Sequence, residues 1–257
     1  MTVRALVIGI GSGNVDHLTL EAVAALNEVD LFLVADKGTA KHDLAALRTE
    51  ICRSVIEHDH YRIVEVADPE RDPASYVDGV RAWHQARAAA YAALIRAELA
   101  PDGTVGFLVW GDPALYDSTI RIVESVAALG VDLELTVVPG ISSVSLLAAR
   151  HRIALNRIGQ PVHITTGRRL TAEYSPELGD VVVMLDGDLA CGGLIEQHPD
   201  LRIYWGAQLG LLDEALVAGR LASVIEEIRR TRAQVRAARG WLMDTYLLRP
   251  GADQTLG

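Results

Sequence analysis

Short apolar runs alternate along most of the chain with longer segments in which apolar residues recur every three or four positions. Continuous apolar runs are typical of buried strands, and their alternation with helix-period segments is typical of an α/β protein. The predicted strands are Ala5–Ile10, Leu31–Ala35, Arg62–Val66, Val105–Trp110, Leu133–Val138, Val162–Thr166, Val181–Leu185, Arg202–Trp205 and Trp241–Leu247.

Two of the intervening segments predict long amphipathic helices. The apolar face of the first is formed by Tyr76, Val80, Trp83, Tyr91, Leu94 and Ile95. The apolar face of the second is formed by Leu221, Val224, Ile225, Ile228 and Val235. The second helix also carries arginines, mostly on its other side, namely Arg229, Arg230, Arg232, Arg236 and Arg239. Because Glu226 and Glu227 lie nearby, we interpret this row as a solvent-exposed face and not as a nucleic-acid site.

A break in the pattern falls at Gly111-Asp112-Pro113, where the proline ends an apolar strand and the chain must turn. At 257 residues, the chain is long enough for two domains. We therefore predict an N-terminal α/β domain, residues 1–112, and a C-terminal α/β domain, residues 113–257. Ligands commonly bind between domains, so a cleft between these two is the expected binding site.

The acidic composition restricts the possible partners. A formal net charge of -10 argues against binding to nucleic acids or acidic membranes, because both attract a basic face. No apolar run approaches the about 20 residues of a membrane span, and the chain opens with a strand pattern instead of a signal peptide. We therefore expect a cytoplasmic protein with a small-molecule ligand.

Cysteine and histidine spacings indicate no metal site. Cys52 and Cys191 are the only cysteines, which is too few for a disulfide framework. We interpret His58-Asp59-His60 as an exposed turn, since residues two apart do not share a helix face. No metal cofactor is expected.

Three glycine-containing turns, each directly after an apolar strand, carry the candidate chemistry. They are Ile8–Asn14, Trp110–Tyr116 and Val138–Ser143. In the first turn, Gly9 and Gly11 match the opening of the dinucleotide motif G-x-G-x-x-G, but Gly13 comes one residue too early for the third glycine. An NAD-dependent oxidoreductase is therefore one interpretation, and a tight turn that needs glycine is the other.

The second and third turns carry polar side chains whose roles the pattern leaves open. Asp112, between glycine and proline, is either a ligand contact or a turn-forming residue. Asp117 or Ser118 is the candidate cap of the next helix. Ser142 and Ser143 either cap the helix that follows them or donate hydrogen bonds to an adenine or a ribose.

The three turns belong to a longer series of characteristic segments that spans nearly the whole chain. The series comprises Ile8–Asn14, Ala35–Gly38, Trp110–Glu124, His151–Ile153, Asn156–Gly159, Ile164–Arg169, Val181–Gly187, Tyr204–Gly210 and Asp244–Arg249. Together these segments resemble the tetrapyrrole (uroporphyrinogen III/corrin) methylase family. The first segment departs from the common form, because many members have proline where this chain has Ser12 and aspartate where it has Asn14.

The resemblance implies a two-domain α/β fold, a homodimer, and a methyl donor, S-adenosylmethionine, bound in the cleft between the domains without a Rossmann arrangement. Within the family, the resemblance is strongest to methyltransferases of aerobic cobalamin biosynthesis that methylate precorrin-5 at C-1 with loss of acetate, giving precorrin-6A. A methylase for another precorrin carbon or for a diphthine precursor is an alternative of the same fold. An NAD-dependent oxidoreductase and a non-catalytic regulator that retains the cleft are alternatives of other classes.

By motif position, the resemblance assigns the residues of the site to the two ligands. The donor contacts are Trp110, Gly111, Asp112, Leu115, Ser142, Ser143, Met184 or Leu185, Gly206 and Ala207. The candidates for the tetrapyrrole substrate are Gly11, Ser12, Asp36, Lys37, Tyr116, Arg168 and Arg169. Of these, Arg168 and Arg169 follow a strand on a predicted loop, and their forked donors suit bidentate recognition of carboxylates.

Methyl transfer from a sulfonium requires the nucleophilic carbon about 3–3.5 Å from the methyl group and in line with the breaking bond. The pyrrole-derived enamine supplies the electrons, so neither a metal nor a covalent nucleophile is required for this step. Loss of acetate additionally requires water to attack an acetyl carbonyl, with a side chain as general base. The candidates are Asp36, Asp112, Tyr116 and His17, among which the sequence gives no preference.

Overall fold

The computed structural model describes residues 2–36, 42–69 and 76–251 of the chain. The chain divides into two compact units, Met1–Ser142 and Ser143–Gly257. Each unit combines its own five-stranded sheet with helices, so the predicted α/β class is confirmed. No described helix is both long enough and apolar enough to cross a bilayer.

The N-terminal unit is built on a fully parallel sheet. Its strands are β1 (Val3–Gly9), β2 (Leu31–Asp36), β3 (Arg62–Ala67), β4 (Thr104–Val109) and β5 (Leu133–Val138). Its helices are α1 (Leu20–Leu26), α2 (His42–Val55), α3 (Tyr76–Glu98) and α4 (Thr119–Ala128). The strand order is β3-β2-β4-β1-β5, and because every strand runs in the same direction, all five carboxyl ends lie along one edge.

Alternation along β1 places its side chains in two separate cores. Ala5 and Val7 pack on one face of the sheet with α3 and α4, whereas Leu6 and Ile8 pack on the other face with α1 and α2. Burial on both faces is the usual state of a parallel sheet that is covered by helices on each side. The continuous apolar run that predicted this strand therefore reflects burial on both sides.

The chain leaves the neighbouring strands β1 and β4 in opposite directions. From β1 it passes through α1 on one face toward β2, and from β4 it passes through α4 on the opposite face toward β5. The loops after these two strands therefore diverge from a common point on the carboxyl edge. In open α/β sheets, such a point is where ligands bind.

The C-terminal unit has a mixed sheet. Its strands are β6 (Val162–Thr166), β7 (Asp180–Met184), β8 (Arg202–Ala207), β9 (Ala215–Arg220) and β10 (Asp244–Arg249). Its helices are α5 (Ser143–His151), α6 (Gly167–Glu173) and α7 (Leu221–Arg239). In the order β6-β7-β10-β8-β9, β10 is antiparallel to both of its neighbours, so β6, β7 and β8 run in the same direction.

The core of the C-terminal unit surrounds its central strands. Trp205 on β8 and Tyr246 on β10 are fully buried, and α7 packs its apolar face, with Ile225 and Ile228, into the same core. The predicted amphipathic helix is thus confirmed. Arg232 on this helix is also buried, which contradicts its predicted place on a solvent-exposed face, because its side chain faces buried acids described below.

The observed strands agree closely with the predicted strands, with two exceptions. The last predicted strand, Trp241–Leu247, begins three residues before β10. The strand β9 was not predicted, because it lies at the edge of its sheet and only Val217 along it is buried. An edge strand that is solvated on most positions lacks the apolar run by which the other strands are recognised.

The division between the units falls between Ser142 and Ser143, whereas the sequence placed the domain junction between residues 112 and 113. The proline turn follows the end of β4, but α4 and β5, which come after it, belong to the N-terminal unit. The strand β5 pairs with β1 from Val3↔Leu133 to Ile8↔Val138. This long-range pairing decides the boundary, and it has no local signal at the turn.

A buried ionic cluster connects β7, β10 and the segment after α5. The carboxylate of Asp180 is fully buried and accepts a hydrogen bond from Arg249 Nε at 3.0 Å. It also accepts the backbone N–H of Arg157 at 3.1 Å, and Arg157 Nε lies 3.4 Å from it. One carboxylate thus compensates two guanidinium groups.

Replacing Asp180→Ala is expected to lower the free energy of unfolding by about 1.5–3 kcal/mol, since Arg249, whose side chain is 16% exposed, loses its charge-assisted hydrogen bonds to a fully buried carboxylate, whereas Arg157 is 34% exposed and can be solvated. The matched control is Asp200→Ala, which removes an exposed pair with Arg220 and is expected to cost at most about 1 kcal/mol. Urea denaturation followed by circular dichroism measures both. Equal losses for the two variants would contradict the assigned role of Asp180.

Candidate active site

The loops after β4, β1 and β5 follow adjacent strands, and their backbones are in close contact. A Cβ atom on Gly9 would lie 2.6 Å from the Gly140 nitrogen and 2.9 Å from Pro113 Cδ. A Cβ atom on Gly140 would lie 2.1 Å from the carbonyl oxygen of Gly111. Real side chains do not approach backbone atoms this closely, so only glycine fits at Gly9 and Gly140.

Backbone hydrogen bonds join the loops after β1 and β4. The Gly111 N–H donates to the Gly11 carbonyl at 2.6 Å, and the Gly11 N–H donates to the Gly111 carbonyl at 3.3 Å. Both residues have a positive φ, +62° at Gly11 and +66° at Gly111, which glycine adopts readily. Gly11, a predicted substrate residue, and Gly111, a predicted donor residue, are therefore brought together.

The carboxylate of Asp112 links the loops after β4 and β5. Its Oδ1 accepts the N–H of Ala114 at 2.8 Å, which forms a turn, and its Oδ2 accepts the N–H of Gly140 at 3.0 Å. The turn-forming role that the sequence left open is thus present, together with a second role across the loops. Both oxygens of the carboxylate are engaged by the backbone.

Trp110 begins the loop after β4 and lies against a cation that the sequence did not indicate. The guanidinium carbon of Arg48, on α2, is 5.2 Å from the centroid of the Trp110 ring. The pKa of Arg48 is lowered to about 10, mainly by burial; Tyr91 opposes this shift and Arg87 adds to it. Arg48 therefore remains charged at neutral pH. No spacing pattern connects it to Trp110, because the contact joins two separate elements.

The remainder of the loop leads into α4. The Leu115 N–H donates to the Asp112 carbonyl at 3.1 Å, and Tyr116 is 46% exposed with a φ of +50°, which is unusual for a bulky side chain. Asp117 accepts the N–H of Thr119 at 2.6 Å, so Asp117 provides the side-chain cap that was predicted for Asp117 or Ser118.

The first glycine turn does not lead directly into a helix. Asn14 accepts the N–H of Asp16 at 3.0 Å and caps a short 3-10 turn, Val15–His17, whereas α1 begins only at Leu20 after its own cap, Thr19. A dinucleotide loop instead places the pyrophosphate at the N-terminus of a helix that follows the glycines directly. The strand order also differs from the Rossmann order 3-2-1-4-5. This geometry does not support the oxidoreductase interpretation.

Two side chains of the first turn are hydrogen-bonded to each other. Ser12 Oγ and His17 Nδ1 are 2.8 Å apart, and both side chains are partly buried. Gly11 packs against the histidine, since a Cβ atom on Gly11 would lie 3.1 Å from His17 Cβ. The sequence named both residues separately but gave no reason to pair them.

Of four further predicted residues, the structure describes Ser142 and Ser143 and only the backbone of Asp36. Asp36 ends β2 on the carboxyl edge, but its side chain lies outside the described part of the structure, as does the whole of Lys37. Ser142 is buried at the end of the N-terminal unit, and Ser143 begins α5 in the C-terminal unit. Their roles in binding stay predictions.

In the C-terminal unit, the predicted donor residues lie at the carboxyl ends of β7 and β8. Met184 ends β7 and pairs with Thr245 of β10, which pairs on its other side with Gly206 of β8. A Cβ atom on Gly206 would lie 2.7 Å from Leu209 Cδ2, so a side chain at this position would have to displace Leu209. Ala207, which ends β8, is fully buried.

Leu185, directly after β7, is exposed and conformationally unusual. Its side chain is 67% exposed, and its φ is +53°. The next residue, Asp186, is buried and fixes the turn: its carboxylate accepts the Tyr246 hydroxyl at 2.5 Å and the N–H groups of Ala190 at 2.8 Å and Asp188 at 3.1 Å. The exposed leucine is therefore attached to a rigid base.

Arg232 of α7 completes the polar network around this turn. It donates to the carbonyl oxygens of Asp186 at 2.6 Å and Gly187 at 3.2 Å, and it forms an ion pair with Asp244 at 3.1 Å. Asp244 also accepts Trp205 Nε1–H at 2.8 Å. Burial raises the pKa of Asp244, and Arg232 opposes that shift. Sequence reasoning missed this network, because its members are far apart along the chain.

Arg168 and Arg169 lie in the first turn of α6 and not on the loop that the sequence predicted. The helix begins at Gly167 immediately after β6, because the missing side chain of Gly167 leaves room for Asp186, whose Cγ would be 2.3 Å from a Cβ atom there. Both arginines are exposed, and Arg169 forms an ion pair with Glu173 of the same helix.

The predicted residues thus form one cluster in each unit. In the N-terminal unit they gather on the carboxyl edge of β1, β4 and β5, and in the C-terminal unit they lie at the carboxyl ends of β6, β7 and β8. Within the described ranges, no group of three or more His, Cys, Asp or Glu side chains could hold a metal ion. The rings of His58 and His60 stack at 3.7 Å.

The chain is similar to known proteins over nearly its whole length. Residues 5–225 match the family of tetrapyrrole (corrin/porphyrin) methylases. A precorrin-6A synthase (deacetylating) of Sinorhizobium sp is 49% identical over 253 residues, which are 97% of this chain and 96% of that protein. The crystal structure of a cobalamin synthesis related protein (CobF) from Corynebacterium diphtheriae is 38% identical with a TM-score of 0.85, covering 98% of this chain and 100% of that one.

A more distant structure shares the fold alone. Uroporphyrin-III C-methyltransferase from Thermus thermophilus, in complex with S-adenosylhomocysteine, is 20% identical with a TM-score of 0.57, covering 95% of this chain and 91% of that one. The present chain belongs to the tetrapyrrole methylase family. The family resemblance and the fold predicted from the sequence are confirmed, and the protein is a methyltransferase.

The backbone contact at Gly140 gives a direct test of the loop arrangement. Gly140→Ala forces a methyl group against the Gly111 carbonyl, and we expect it to lower the free energy of unfolding by about 1–3 kcal/mol, the usual cost of overpacking. The control is Gly193→Ala, where the nearest atom to the new Cβ would be 3.5 Å away, an ordinary contact. Urea denaturation compares them. A Gly140→Ala protein as stable as the control would refute the close approach.

Proposed function

We propose that the protein methylates precorrin-5 at C-1 with S-adenosylmethionine as donor and releases acetate, giving precorrin-6A in aerobic cobalamin biosynthesis. The observation that carries this proposal is the 49% identity to a deacetylating precorrin-6A synthase over nearly the full length of both proteins. The likeness to CobF, which covers all of that chain, supports the same assignment.

The loop after β4 is proposed to contact the donor through its backbone and its apolar side chains. The carboxylate of Asp112 is occupied by two backbone N–H groups, so its contribution is to hold the loop in shape. Trp110 and Leu115 then remain for contact through their side chains, and Gly111, whose N–H and carbonyl are hydrogen-bonded to Gly11, remains through van der Waals contact. The complex of the Thermus thermophilus methyltransferase with S-adenosylhomocysteine supports the class of donor.

The assignment of Ser142, Ser143, Met184 or Leu185, Gly206 and Ala207 to the donor also remains part of the proposal, by motif position. Of the two residues after β7, we favour Leu185, because its side chain is exposed while the turn beneath it is fixed by Asp186. A fixed, exposed apolar group can bind an apolar part of a ligand without first losing conformational freedom.

The protein contributes mainly by positioning in the methyl-transfer step. The donor supplies an activated methyl group when bound, and the substrate carbon supplies the electron pair. The loops after β1, β4 and β5 are held by backbone contacts, so they need little reorganisation to place two reactants in line.

The substrate carries many carboxylates, whereas the protein has a formal net charge of -10. Binding therefore requires local cations that offset the overall repulsion. We propose Arg168 and Arg169 for this role, together with Lys37 from the sequence, and we add Arg48 because it lies against Trp110 at the carboxyl edge. Gly11, Ser12, Asp36 and Tyr116 stay proposed neighbours of the substrate.

A homodimer in the cytoplasm belongs to the proposal on the strength of the family resemblance. The closed fold of each unit neither requires nor opposes it.

The central test is incubation of the enzyme with precorrin-5 and S-adenosylmethionine, followed by mass spectrometry. We expect a product that has gained one methyl group and lost one acetyl group, with one acetate and one S-adenosylhomocysteine formed per turnover. NAD⁺ in place of the donor is expected to give no turnover. A product that gains a methyl group without losing the acetyl group would contradict the deacetylating assignment.

Converting Arg168 and Arg169 together to alanine is expected to raise the KM for precorrin-5 at least about tenfold, since each lost charge-assisted hydrogen bond is worth about 1.5–3 kcal/mol. The affinity for S-adenosylhomocysteine, measured by calorimetry, should not change. The control is the double change of Arg229 and Arg230 to alanine, because these are also consecutive exposed arginines, one of them paired with an acid on its own helix. The assignment of Arg168 and Arg169 to the substrate would be contradicted if their replacement weakened binding of precorrin-5 and of S-adenosylhomocysteine equally. It would also be contradicted if the control double variant raised the KM for precorrin-5 by the same factor.

A further inference from the structure

Loss of acetate sets a chemical requirement that methyl transfer does not. A nucleophile must attack the acetyl carbonyl, and a base must accept the proton of that nucleophile. This requirement rests on the proposed function, since it belongs to the acetate-releasing half of that reaction.

The structure separates three of the four groups that the sequence left equivalent, since the side chain of the fourth, Asp36, lies outside the described part of the structure. Asp112 is unsuited to act as a base, because each of its carboxylate oxygens accepts a backbone N–H. Tyr116 is a phenol, which is a weak base in its ordinary neutral form. His17 is different, because its Nδ1 lies 2.8 Å from a hydroxyl, Ser12 Oγ. A hydroxyl within hydrogen-bonding distance of an imidazole is the basic arrangement of an activated serine nucleophile.

The position of this pair also fits the requirement. The residue before Ser12 is Gly11, whose backbone exchanges two hydrogen bonds with Gly111, in the loop proposed to contact the donor. The pair thus lies at the diverging point of the β1 and β4 loops, where ligands bind in open α/β sheets.

The geometry of the pair is fixed from both sides. The backbone N–H of His17 donates to the Asn14 carbonyl at 2.9 Å, which closes the 3-10 turn, and the side chain of Asn14 caps the same turn. Gly11 permits the imidazole to pack against the backbone, since a Cβ atom there would lie 3.1 Å from His17 Cβ. The hydroxyl and the imidazole are therefore held together before any substrate binds.

We propose that Ser12 and His17 form the catalytic pair that removes the acetyl group of the tetrapyrrole substrate. His17 Nδ1 accepts the proton of Ser12 Oγ as this oxygen attacks the acetyl carbonyl. The bond between C-1 and the acetyl carbon then breaks, and its electron pair remains on C-1, delocalised over the adjoining pyrrole-derived system.

The acetyl group is now an ester on Ser12, and C-1 is the nucleophile that takes the methyl group from the sulfonium. His17 first releases the proton of Ser12 to solvent. Water then attacks the ester and passes a proton to His17, which delivers this proton to Ser12 Oγ as the acetyl group leaves as acetic acid, and this ionises to acetate. In sum, substrate, water and S-adenosylmethionine give the methylated product, acetate, S-adenosylhomocysteine and protons, with no oxidant or reductant.

The test measures acetate release and methyl transfer from precorrin-5 and S-adenosylmethionine by mass spectrometry, for wild-type protein, Ser12→Ala, His17→Gln and the double variant. We expect each single change to slow acetate release by roughly 10²- to 10⁴-fold, the usual contribution of such groups. Because the two residues act as a unit, the double variant is expected to be no slower than the single variants. Methyl transfer should fall in parallel, since C-1 is released as a nucleophile only by deacylation.

Three controls distinguish a loss of catalysis from a loss of the folded structure. Calorimetry with S-adenosylhomocysteine should give the wild-type affinity for every variant. Asp16→Asn, an exposed change on the same 3-10 turn, should retain wild-type acetate release. Ser12→Cys, which supplies a thiol nucleophile, should release acetate faster than Ser12→Ala.

Several results would overturn the inference. If the wild-type protein turns over and Ser12→Ala releases acetate at the same rate, Ser12 is not the nucleophile. If the rate losses of the two single variants multiply in the double variant, the two residues do not act as a unit. Loss of S-adenosylhomocysteine binding together with activity would assign the pair a structural role. A wild-type protein that methylates precorrin-5 without releasing acetate would instead contradict the proposed function itself.

Discussion

The close approach of three glycine backbones at the carboxyl edge of the N-terminal sheet is the constraint on which the site depends. Gly9 and Gly140 leave no space for side chains, the Gly111 carbonyl lies against Gly140, and the Asp112 carboxylate joins two of the three loops. Since the loops follow adjacent strands, the sheet fixes their spacing, and the backbone contacts fix their conformation. Polar groups carried by such loops are held in place before a ligand arrives, which is how a protein avoids reorganisation during a reaction.

The C-terminal unit holds its carboxyl edge with charge instead of close backbone contact. The guanidinium of Arg232 pairs with the buried carboxylate of Asp244 and donates to the backbone carbonyl of Asp186, while hydrogen bonds from Tyr246 to the Asp186 carboxylate and from Trp205 to Asp244 offset part of the cost of burying these acids. Buried ionic groups of this kind contribute little net stability when compared with apolar residues of the same size. We interpret this network as selecting one conformation of the turn after β7 over alternatives.

The architecture was largely readable from the sequence, because apolar runs and helical periods are local signals of burial. What escaped prediction depends on partners that are distant along the chain. The pairing of β5 with β1 decides the domain boundary. Contacts with Asp186 and Asp244, which lie on other elements, decide the burial of Arg232. The packing of α2 decides the contact of Arg48 with Trp110. The strand β9 was missed for a local reason: an edge strand buries too few residues to produce an apolar run in the sequence. Motif positions indicated Ser12 and His17, but only the fold pairs them.

The central place of β10 has a consequence for the order in which the molecule forms. Asp244–Arg249 is the last strand in sequence, yet it lies between β7 and β8 and hydrogen-bonds to both. During synthesis on the ribosome, the parallel sheet of the first unit has all its strands by Val138, whereas the second sheet is split until its final strand emerges. The nascent C-terminal unit therefore exposes two unpaired strand edges until β10 has been synthesised, and this interval is where the chain is most open to association with other unfolded chains.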